Sequence, residues 1–264
     1  MPAANATAYQ FSELGPAHLT GASALADECA LAISYNGLNQ AVMMVSPQDL
    51  HDFVLGFSLS NGLIDSPADL YDLQLGGSGE ARRAEAEIAS RAFWALKQQR
   101  RQLAGNSSCG LCGVEALEAA LPALTLLPGA ALPPAEHLHE LRTRIAAFQL
   151  QAQSSGAMHA ALFVDKTGEI RLCREDIGRH NALDKLIGAL ARQALDAAGG
   201  FVVLTSRCSL ELLHKAVRAG IPTLVSLSAP TALTVDWARR HHLNLIHLPH
   251  RSAPRVYSPA PEVI

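Results

Sequence analysis

The sequence has few aromatic residues, no long apolar run and no surplus of positive charge. Phe, Trp and Tyr make up 5% of its 264 residues, while Ala and Leu are abundant, which favours helices packed on a sheet over an all-β sandwich. Lys and Arg number 21 against 24 Asp and Glu, a net charge of −3. Proteins that bind nucleic acid usually carry a basic surplus, so we expect no nucleic acid partner.

Membrane and secretion signals are also missing. No apolar stretch approaches the roughly 18 residues that would suggest a membrane span. The first ten residues lack the basic and apolar regions of a secretory signal. We therefore expect a soluble, cytoplasmic protein with no membrane partner.

The sequence has five cysteines in 264 residues. An odd number in a chain of this size does not indicate a disulfide framework. The glycine motifs of ordinary dinucleotide sites and P-loops are absent as well. In a reducing compartment, the close pair Cys109 and Cys112 instead indicates metal binding or catalysis.

The pattern of apolar and turn residues predicts an α/β protein. Residues 1–20 lack periodicity and are predicted as a mobile tail. Asn36-Gly37 indicates a hairpin, and Ser46-Pro47 indicates a helix start with Ser46 as the N-cap and Gly62 near its end. A strand is expected near residues 70–75, and helices over residues 90–103, 114–120 and 135–151.

The last 120 residues are more regular. Strands are predicted at residues 160–164, 170–173, 201–205, 223–228 and 243–248, and helices lie between the later ones. Such alternation indicates a partly parallel sheet covered on both faces.

Cys109 and Cys112 lie in a small, polar loop that ends just before a predicted helix. The pair is compatible with half a zinc site, a dithiol–disulfide couple or a persulfide carrier. A structural zinc site needs about four ligands, and the other three cysteines stand alone, although a site with His159 or His180 remains open. A helix N-terminus lowers a thiol pKa and favours the nucleophilic thiolate, which supports sulfur or redox chemistry.

A second polar cluster runs from Arg174 to Lys185, where a strand passes into a helix. Gly178 allows a tight turn, and Arg179, His180 and Asn181 offer donors at the helix start, where anions bind. A salt-bridged helix entry without a ligand explains the same residues.

Further polar residues follow the predicted parallel strands. Arg207 follows one strand, and Ser228 and Thr231 follow the next. In open α/β sheets, ligands bind beyond the carboxyl ends of the strands, so these side chains could hold phosphate groups. Each is also explained by turn or capping chemistry, Thr231 especially.

Three motifs together resemble the formate dehydrogenase accessory sulfurtransferases of the FdhD/NarQ family. They are Ser107-Ser-Cys-Gly-Leu-Cys-Gly113, the run from Arg174 through Glu-Asp-Ile-Gly-Arg-His-Asn to Gly188, and the stretch from Ala219 to Thr231. The similarity covers roughly residues 28–258, and the middle motif is long and specific.

The resemblance implies a fold and a function. The fold would be a cytidine-deaminase-like α/β domain, with three layers around a mixed sheet (residues 106–264), beside a smaller N-terminal α+β domain (residues 20–105). Such proteins, usually homodimers, accept sulfur from a cysteine desulfurase as a persulfide. They pass it to the molybdenum or tungsten bis-guanine-dinucleotide cofactor destined for formate dehydrogenase. The cofactor would be a bound substrate, with no permanent cofactor and no resident metal.

The resemblance also implies site residues. Cys109 would carry the persulfide with Cys112 as its helper, whereas helix-terminus physics alone favours Cys112. The region that binds the guanine-dinucleotide cofactor would be Leu248, Pro249, His250, Arg251, Ser252 and Ala253. We place His159, Arg179, His180, Asn181, Arg207, Ser228 and Thr231 beside it. The alternatives are a non-catalytic chaperone that binds the same cofactor, and a zinc deaminase, which lacks support because no His-x-Glu precedes Cys109.

Overall fold

The computed structural model of the chain describes residues 8–14, 19–105 and 121–261. Strands β1 (Ala8–Ser12) and β2 (Thr20–Ala24) form an antiparallel pair. The next four strands, β3 (Cys29–Tyr35), β4 (Leu38–Val45), β5 (Leu70–Ser78) and β6 (Ala81–Ile88), form a sheet in the order β4-β3-β6-β5. Helices α1 (Leu50–Ser60) and α2 (Ser90–Gly105) accompany this sheet, and α1 buries Phe53 and Val54 in its core.

The turn between β3 and β4 is the Asn36-Gly37 pair, as the sequence predicts. Both residues have positive φ angles, 46° and 79°, as a type I′ hairpin turn requires. The Asn36 side chain also bonds both backbone groups of Ile88, at 2.7 and 3.1 Å. The turn is therefore tied to the end of β6.

A second, six-stranded sheet occupies the remainder of the described chain. Its strands are β7 (His159–Asp165), β8 (Ile170–Asp176), β9 (Gly200–Leu204), β10 (Thr223–Ser226), β11 (Asn244–His247) and β12 (Arg255–Ser258), in the order β12-β11-β10-β9-β7-β8. Strands β9, β10 and β11 are parallel, and β7, β8 and β12 pair antiparallel with their neighbours. The helices are α3 (Leu141–Phe148), α4 (Leu150–Ser155), α5 (Arg179–Arg192), α6 (Leu210–Arg218) and α7 (Ala232–Arg240).

Alternate residues of this sheet face two different cores. Ala161, Phe163 and Val202 pack with apolar residues of α5, α6 and α7. Leu162 and Val203 face the opposite side, where α3 contributes Leu141 and Ile145. Helices therefore cover both faces of a mixed sheet, as the α/β prediction requires; the likeness to cytidine deaminase stays a prediction.

The four-stranded and six-stranded sheets are joined by the crossing of α1 and α5. A Cβ atom on Gly56 would lie 1.7 Å from the Asp184 carbonyl oxygen, and one on Gly188 would lie 1.9 Å from that of Asp52. The two helix backbones thus touch at a point where only glycine fits. The predicted boundary between residues 105 and 106 falls where the described chain breaks off and stays a prediction.

Several predicted elements are wrong. Ala8–Ser12 is a strand instead of a mobile tail, and β6 and β12 were not predicted at all. The predicted helix over residues 135–151 is a short 3₁₀ helix followed by α3, and α4 begins separately at Leu150. Ser46 is not an N-cap, because α1 begins at Leu50 after Asp49 in a left-handed conformation. The predicted helix over residues 114–120 lies outside the described residues.

The later strands of the sheet and helices α5, α6 and α7 lie within a few residues of the predicted positions. Within the described ranges, no helix is both long and apolar enough to cross a membrane.

Candidate functional site

One edge of the six-stranded sheet gathers most of the residues that the sequence analysis selected. The parallel strands β9, β10 and β11 end there, followed by Arg207, Ser228 and Leu248. Because β7 runs antiparallel to β9, it begins there with His159, which pairs with Asp176 at the end of β8. At roughly 4.8 Å between strands, the four steps from β8 to β11 span about 19 Å. We call this row of strand ends the carboxyl edge.

The turn from β8 to α5 is built around the buried carboxylate of Asp176. Its Oδ1 accepts hydrogen bonds from Gly178 N (2.8 Å) and Asn181 Nδ2 (2.9 Å). Its Oδ2 accepts from Ser46 N (2.9 Å) and lies 2.7 Å from Lys185 Nζ. The carboxylate therefore fixes the turn and ties it to the N-terminal part of the chain.

Asn181 and Glu175 make contacts within the fold. Asn181 Nδ2 also donates to the Met44 carbonyl oxygen at 2.9 Å, so both amide protons of the predicted anion donor are already engaged. The Glu175 carboxylate accepts hydrogen bonds from the backbone N–H groups of Gln151 and Ala152, the first turn of α4, at 2.8 and 2.9 Å. The buried half of the motif is thus held by protein partners.

Arg179 and His180 are half-buried residues of the motif, and His159 at the start of β7 is half-buried as well. Arg179 Nε is buried and has no hydrogen-bond partner among the described residues, which leaves a donor at the start of α5. Burial lowers the pKa of His159, and the Arg179 charge adds to this effect. Burial and then Arg179 likewise lower the pKa of His180, so both rings are favoured in the neutral form.

His180 faces a cleft of about 430 Å³ between α1, α5 and α6. Its Nε2 lies 2.7 Å from Glu211 Oε2, within ion-pair distance, but the alignment falls short of a hydrogen bond. Deeper in the cleft, Lys215 Nζ bridges both carboxylate oxygens of Asp184, at 2.9 Å each. Burial raises the pKa of Asp184, and Lys215 opposes that shift. Pro122, near the point where the described chain resumes, also lines this cleft.

The three residues predicted after β9 and β10 differ in exposure and in contacts. The Arg207 side chain is exposed and makes no hydrogen bond or ion pair with the described residues, while its carbonyl oxygen accepts a hydrogen bond from Ser206 Oγ at 3.1 Å. Ser228 is half-buried, and its carbonyl oxygen accepts a hydrogen bond from Ser226 Oγ at 2.6 Å. Thr231 caps α7, since its Oγ1 accepts from Thr234 N at 3.2 Å. The capping explanation therefore accounts for Thr231, whereas Arg207 is available to a ligand.

The predicted cofactor segment continues from β11. Leu248 is buried, Pro249 is half-buried, and His250, Arg251, Ser252 and Ala253 are exposed. A cavity of about 420 Å³ is lined by Leu248, Pro249 and His250 together with residues of α3, among them Arg142. The segment thus starts at the carboxyl edge and forms one wall of a cavity.

The predicted sulfur-carrying pair, Cys109 and Cys112, lies outside the described residues. The three described cysteines are poor nucleophiles. Burial raises the pKa of Cys29 above its ordinary value and the pKa values of Cys173 and Cys208 to about 12. At neutral pH these thiols stay protonated.

Comparison with known proteins identifies the family of the chain. The model of the FdhD/NarQ family matches residues 26–264. The chain belongs to the FdhD/NarQ family. The resemblance inferred from the three sequence motifs is therefore confirmed.

Three relatives match the chain over most of its length. The chain is 40% identical to the sulfur carrier protein FdhD of Bordetella petrii over 90% of this chain and 86% of that protein. It is 46% identical to the protein of the same name from Xanthomonas campestris pv. campestris, over 84% of this chain and 79% of the relative. The Xanthomonas oryzae pv. oryzae protein is 44% identical over 91% and 88%.

One solved structure shows the same fold. The crystal structure of a candidate formate dehydrogenase accessory protein from Desulfotalea psychrophila aligns with a TM-score of 0.74 over 97% of both chains. Its sequence identity is 22%, so the likeness carries the fold alone.

Sequence reasoning missed several residues at the edge and in the cleft. Glu211 and Lys215 lie on a helix whose apolar pattern was recognised, yet nothing local marks their partners, His180 and Asp184. Arg142 was missed too, and its only signal is a cation beside the apolar positions Leu141 and Ile145 of α3. These contacts join segments about 30 or more residues apart.

Proposed function

We propose that the protein is a sulfur carrier for the maturation of formate dehydrogenase. It accepts sulfur from a cysteine desulfurase as a persulfide on Cys109 and transfers it to a molybdenum or tungsten bis-guanine-dinucleotide cofactor, which binds as a substrate. The relatives named sulfur carrier protein FdhD support the sulfur-carrier part. A formate dehydrogenase as the client is what membership of the FdhD/NarQ family implies.

The proposed binding of the cofactor rests on the residues of the carboxyl edge. This edge offers Arg207, the unpartnered Nε of Arg179 and the segment from Leu248 to Ala253 along one line. Guanidinium groups are suited to phosphate because they present planar, charged donors. A row of about 19 Å also suits a long ligand with several phosphates. His159 and His180, whose pKa values are lowered by burial, add hydrogen-bonding groups at the same edge.

The sulfur step follows thiol–disulfide chemistry. The Cys109 thiolate attacks the terminal sulfur of the desulfurase persulfide, the sulfur–sulfur bond of the donor breaks, and the donor cysteine leaves as a thiolate. Transfer of the neutral terminal sulfur atom breaks the sulfur–sulfur bond on Cys109 and returns Cys109 as a thiolate. The cofactor, as the substrate, supplies the two electrons that convert this sulfur into a sulfide ligand. Cys112 assists as the second thiol of the loop.

Mass spectrometry tests the carrier step. After incubation with a cysteine desulfurase and cysteine, the Cys109 peptide should gain about 32 Da, the mass of one sulfur atom. Cys109→Ser should abolish the adduct, and Cys112→Ser should show whether the second thiol is needed. The Cys173 and Cys208 peptides serve as internal controls, since their raised pKa values keep them as unreactive thiols.

Two results would contradict the proposal. One is the absence of the adduct on Cys109 while the desulfurase is demonstrably active. The other is full maturation of formate dehydrogenase by Cys109→Ala, which would favour a chaperone that binds the cofactor without carrying sulfur.

A further inference from the structure

Arg142 links the ends of two strands of the carboxyl edge. Its Nη2 donates to the carbonyl oxygen of Leu227, just after β10, at 2.6 Å, and to that of Leu248, just after β11, at 2.5 Å. Both protons of this nitrogen are therefore used on the two segments that carry Ser228 and the predicted cofactor region.

The two carbonyl groups need this donor because the parallel ladder ends beside them. Leu248 N still donates to Ser226 O at 2.9 Å, and Leu227 N to Leu204 O at 3.0 Å. The carbonyl oxygens of the same two residues, Leu227 and Leu248, accept no hydrogen bond from a backbone N–H of the described chain. Backbone carbonyls away from water need a partner, and the side chain of Arg142 supplies one donor group for both.

Arg142 also lies at a cavity beside these strand ends. Arg142 lines the cavity of about 420 Å³ together with Leu248, Pro249 and His250. Its Nε is buried and has no hydrogen-bond partner among the described residues. The same side chain thus joins the two strand ends and lines the cavity next to the segment after β11.

We propose that Arg142 is a positioning residue for the guanine-dinucleotide site. It keeps the segments after β10 and β11 at the spacing that the phosphate-bearing ligand requires. This inference rests on the proposed function, because it takes that cofactor as the ligand. Without the link, the two segments would reach the binding spacing only part of the time, and the apparent affinity would fall by that fraction.

Arg144 provides a matched control on the same helix. It donates to the carbonyl oxygens of His137 and Gly168, so it also satisfies two backbone groups. Gly168 lies in the turn between β7 and β8, at the opposite end of the strands from His159 and Asp176. Arg144→Met therefore removes a similar side chain and similar bonds away from the carboxyl edge.

The test uses the full chain and GDP, which carries the guanine base, the ribose and two phosphates. We expect Arg142→Met to bind GDP about tenfold more weakly, as it would if the segments were correctly spaced for a tenth of the time. Arg144→Met should bind as the wild type does. Arg142→Lys keeps a cationic donor and should recover part of the affinity. Hydrogen exchange should increase at residues 227–230 and 248–253 in Arg142→Met alone.

Equal GDP affinity in Arg142→Met and the wild type would overturn the inference and leave the proposed function standing. Equal loss of affinity in Arg142→Met and Arg144→Met would overturn it as well, since stability alone would explain the effect. A wild-type protein that binds no GDP would overturn both this inference and the cofactor part of the proposed function. If Arg142→Met does not fold, Arg142→Lys and Arg144→Lys decide by the same comparison.

Discussion

Lys185 and Asp176 form an ion pair in which both side chains are fully buried, at 0% exposure. Lys185 Nζ makes three contacts: Asp176 Oδ2 at 2.7 Å, the Ser46 carbonyl oxygen at 3.0 Å and the Glu175 carbonyl oxygen at 3.2 Å. All three ammonium protons are used. The pair joins β8, α5 and the segment between β4 and α1.

Lys185→Met should therefore destabilise the protein strongly. Methionine fills a similar volume but leaves the Asp176 charge without its cation and two carbonyl groups without a donor. Breaking a buried ion pair by removing one partner typically costs about 3–5 kcal/mol. Asp176 keeps its hydrogen bonds from Ser46, Gly178 and Asn181, which places the expected loss near the lower end of that range. For a chain of this size the melting temperature should fall by roughly 10 °C.

Thermal unfolding followed by circular dichroism measures this loss, with Lys166→Met as the control. Lys166 is exposed and makes no ion pair with the described residues, so its replacement should change stability by less than about 0.5 kcal/mol. The double variant Asp176→Asn/Lys185→Met should lose less than the sum of the two single variants, because no unpaired charge remains. A loss below about 1 kcal/mol for Lys185→Met would refute the reasoning.

Two further predictions concern the helix crossing and the cleft. Gly188→Ala places a Cβ atom 1.9 Å from the Asp52 carbonyl oxygen, so urea unfolding should show a loss of at least about 2 kcal/mol. A Cβ atom on Gly76 would meet no atom of the described residues within 4 Å apart from its chain neighbours, so Gly76→Ala should leave stability unchanged. An equal loss of stability in both variants would contradict the close contact between the two helix backbones. Burial lowers the pKa of His214 from 6.5 to about 4, so the unfolded chain binds the proton more readily and stability should fall as pH drops from about 6.5 to 4. Urea midpoints at several pH values should fall less in His214→Gln across this window, and identical profiles would show that His214 does not contribute.

The regular part of the fold could be predicted because its signals are local. The Asn36-Gly37 turn needs two adjacent residues with positive φ, which this pair adopts readily. The strands from β9 to β11 are short apolar runs between helices, a pattern that arises where a sheet is buried on both faces. Strands β1, β6 and β12 lack this pattern, because at least half of the residues in each of them are exposed.

The role of the motif from Arg174 to Lys185 could be predicted only in part. Its place at the carboxyl edge followed from the position of a strand end before a helix start. The sequence did not predict which residues of the motif are buried. Asp176, Asn181 and Lys185 are buried where they bond to Ser46 and Met44, which lie more than 100 residues earlier. The motif that resembled a ligand site is thus also the joint between the two sheets.

The sequence by itself determined the family and the α/β class, since these depend on residue types at fixed local spacing. That Cys109 carries the sulfur stays a prediction implied by the resemblance to the family. Only the tertiary structure decided which polar residues are free. In the folded chain both amide protons of Asn181 are used and Thr231 caps a helix. The Arg207 side chain and the Nε of Arg179 have no partner among the described residues. The tertiary structure also brought Arg142 to the ends of β10 and β11. A polar side chain binds a ligand only if the fold has not already satisfied it, and the satisfying groups come from distant segments.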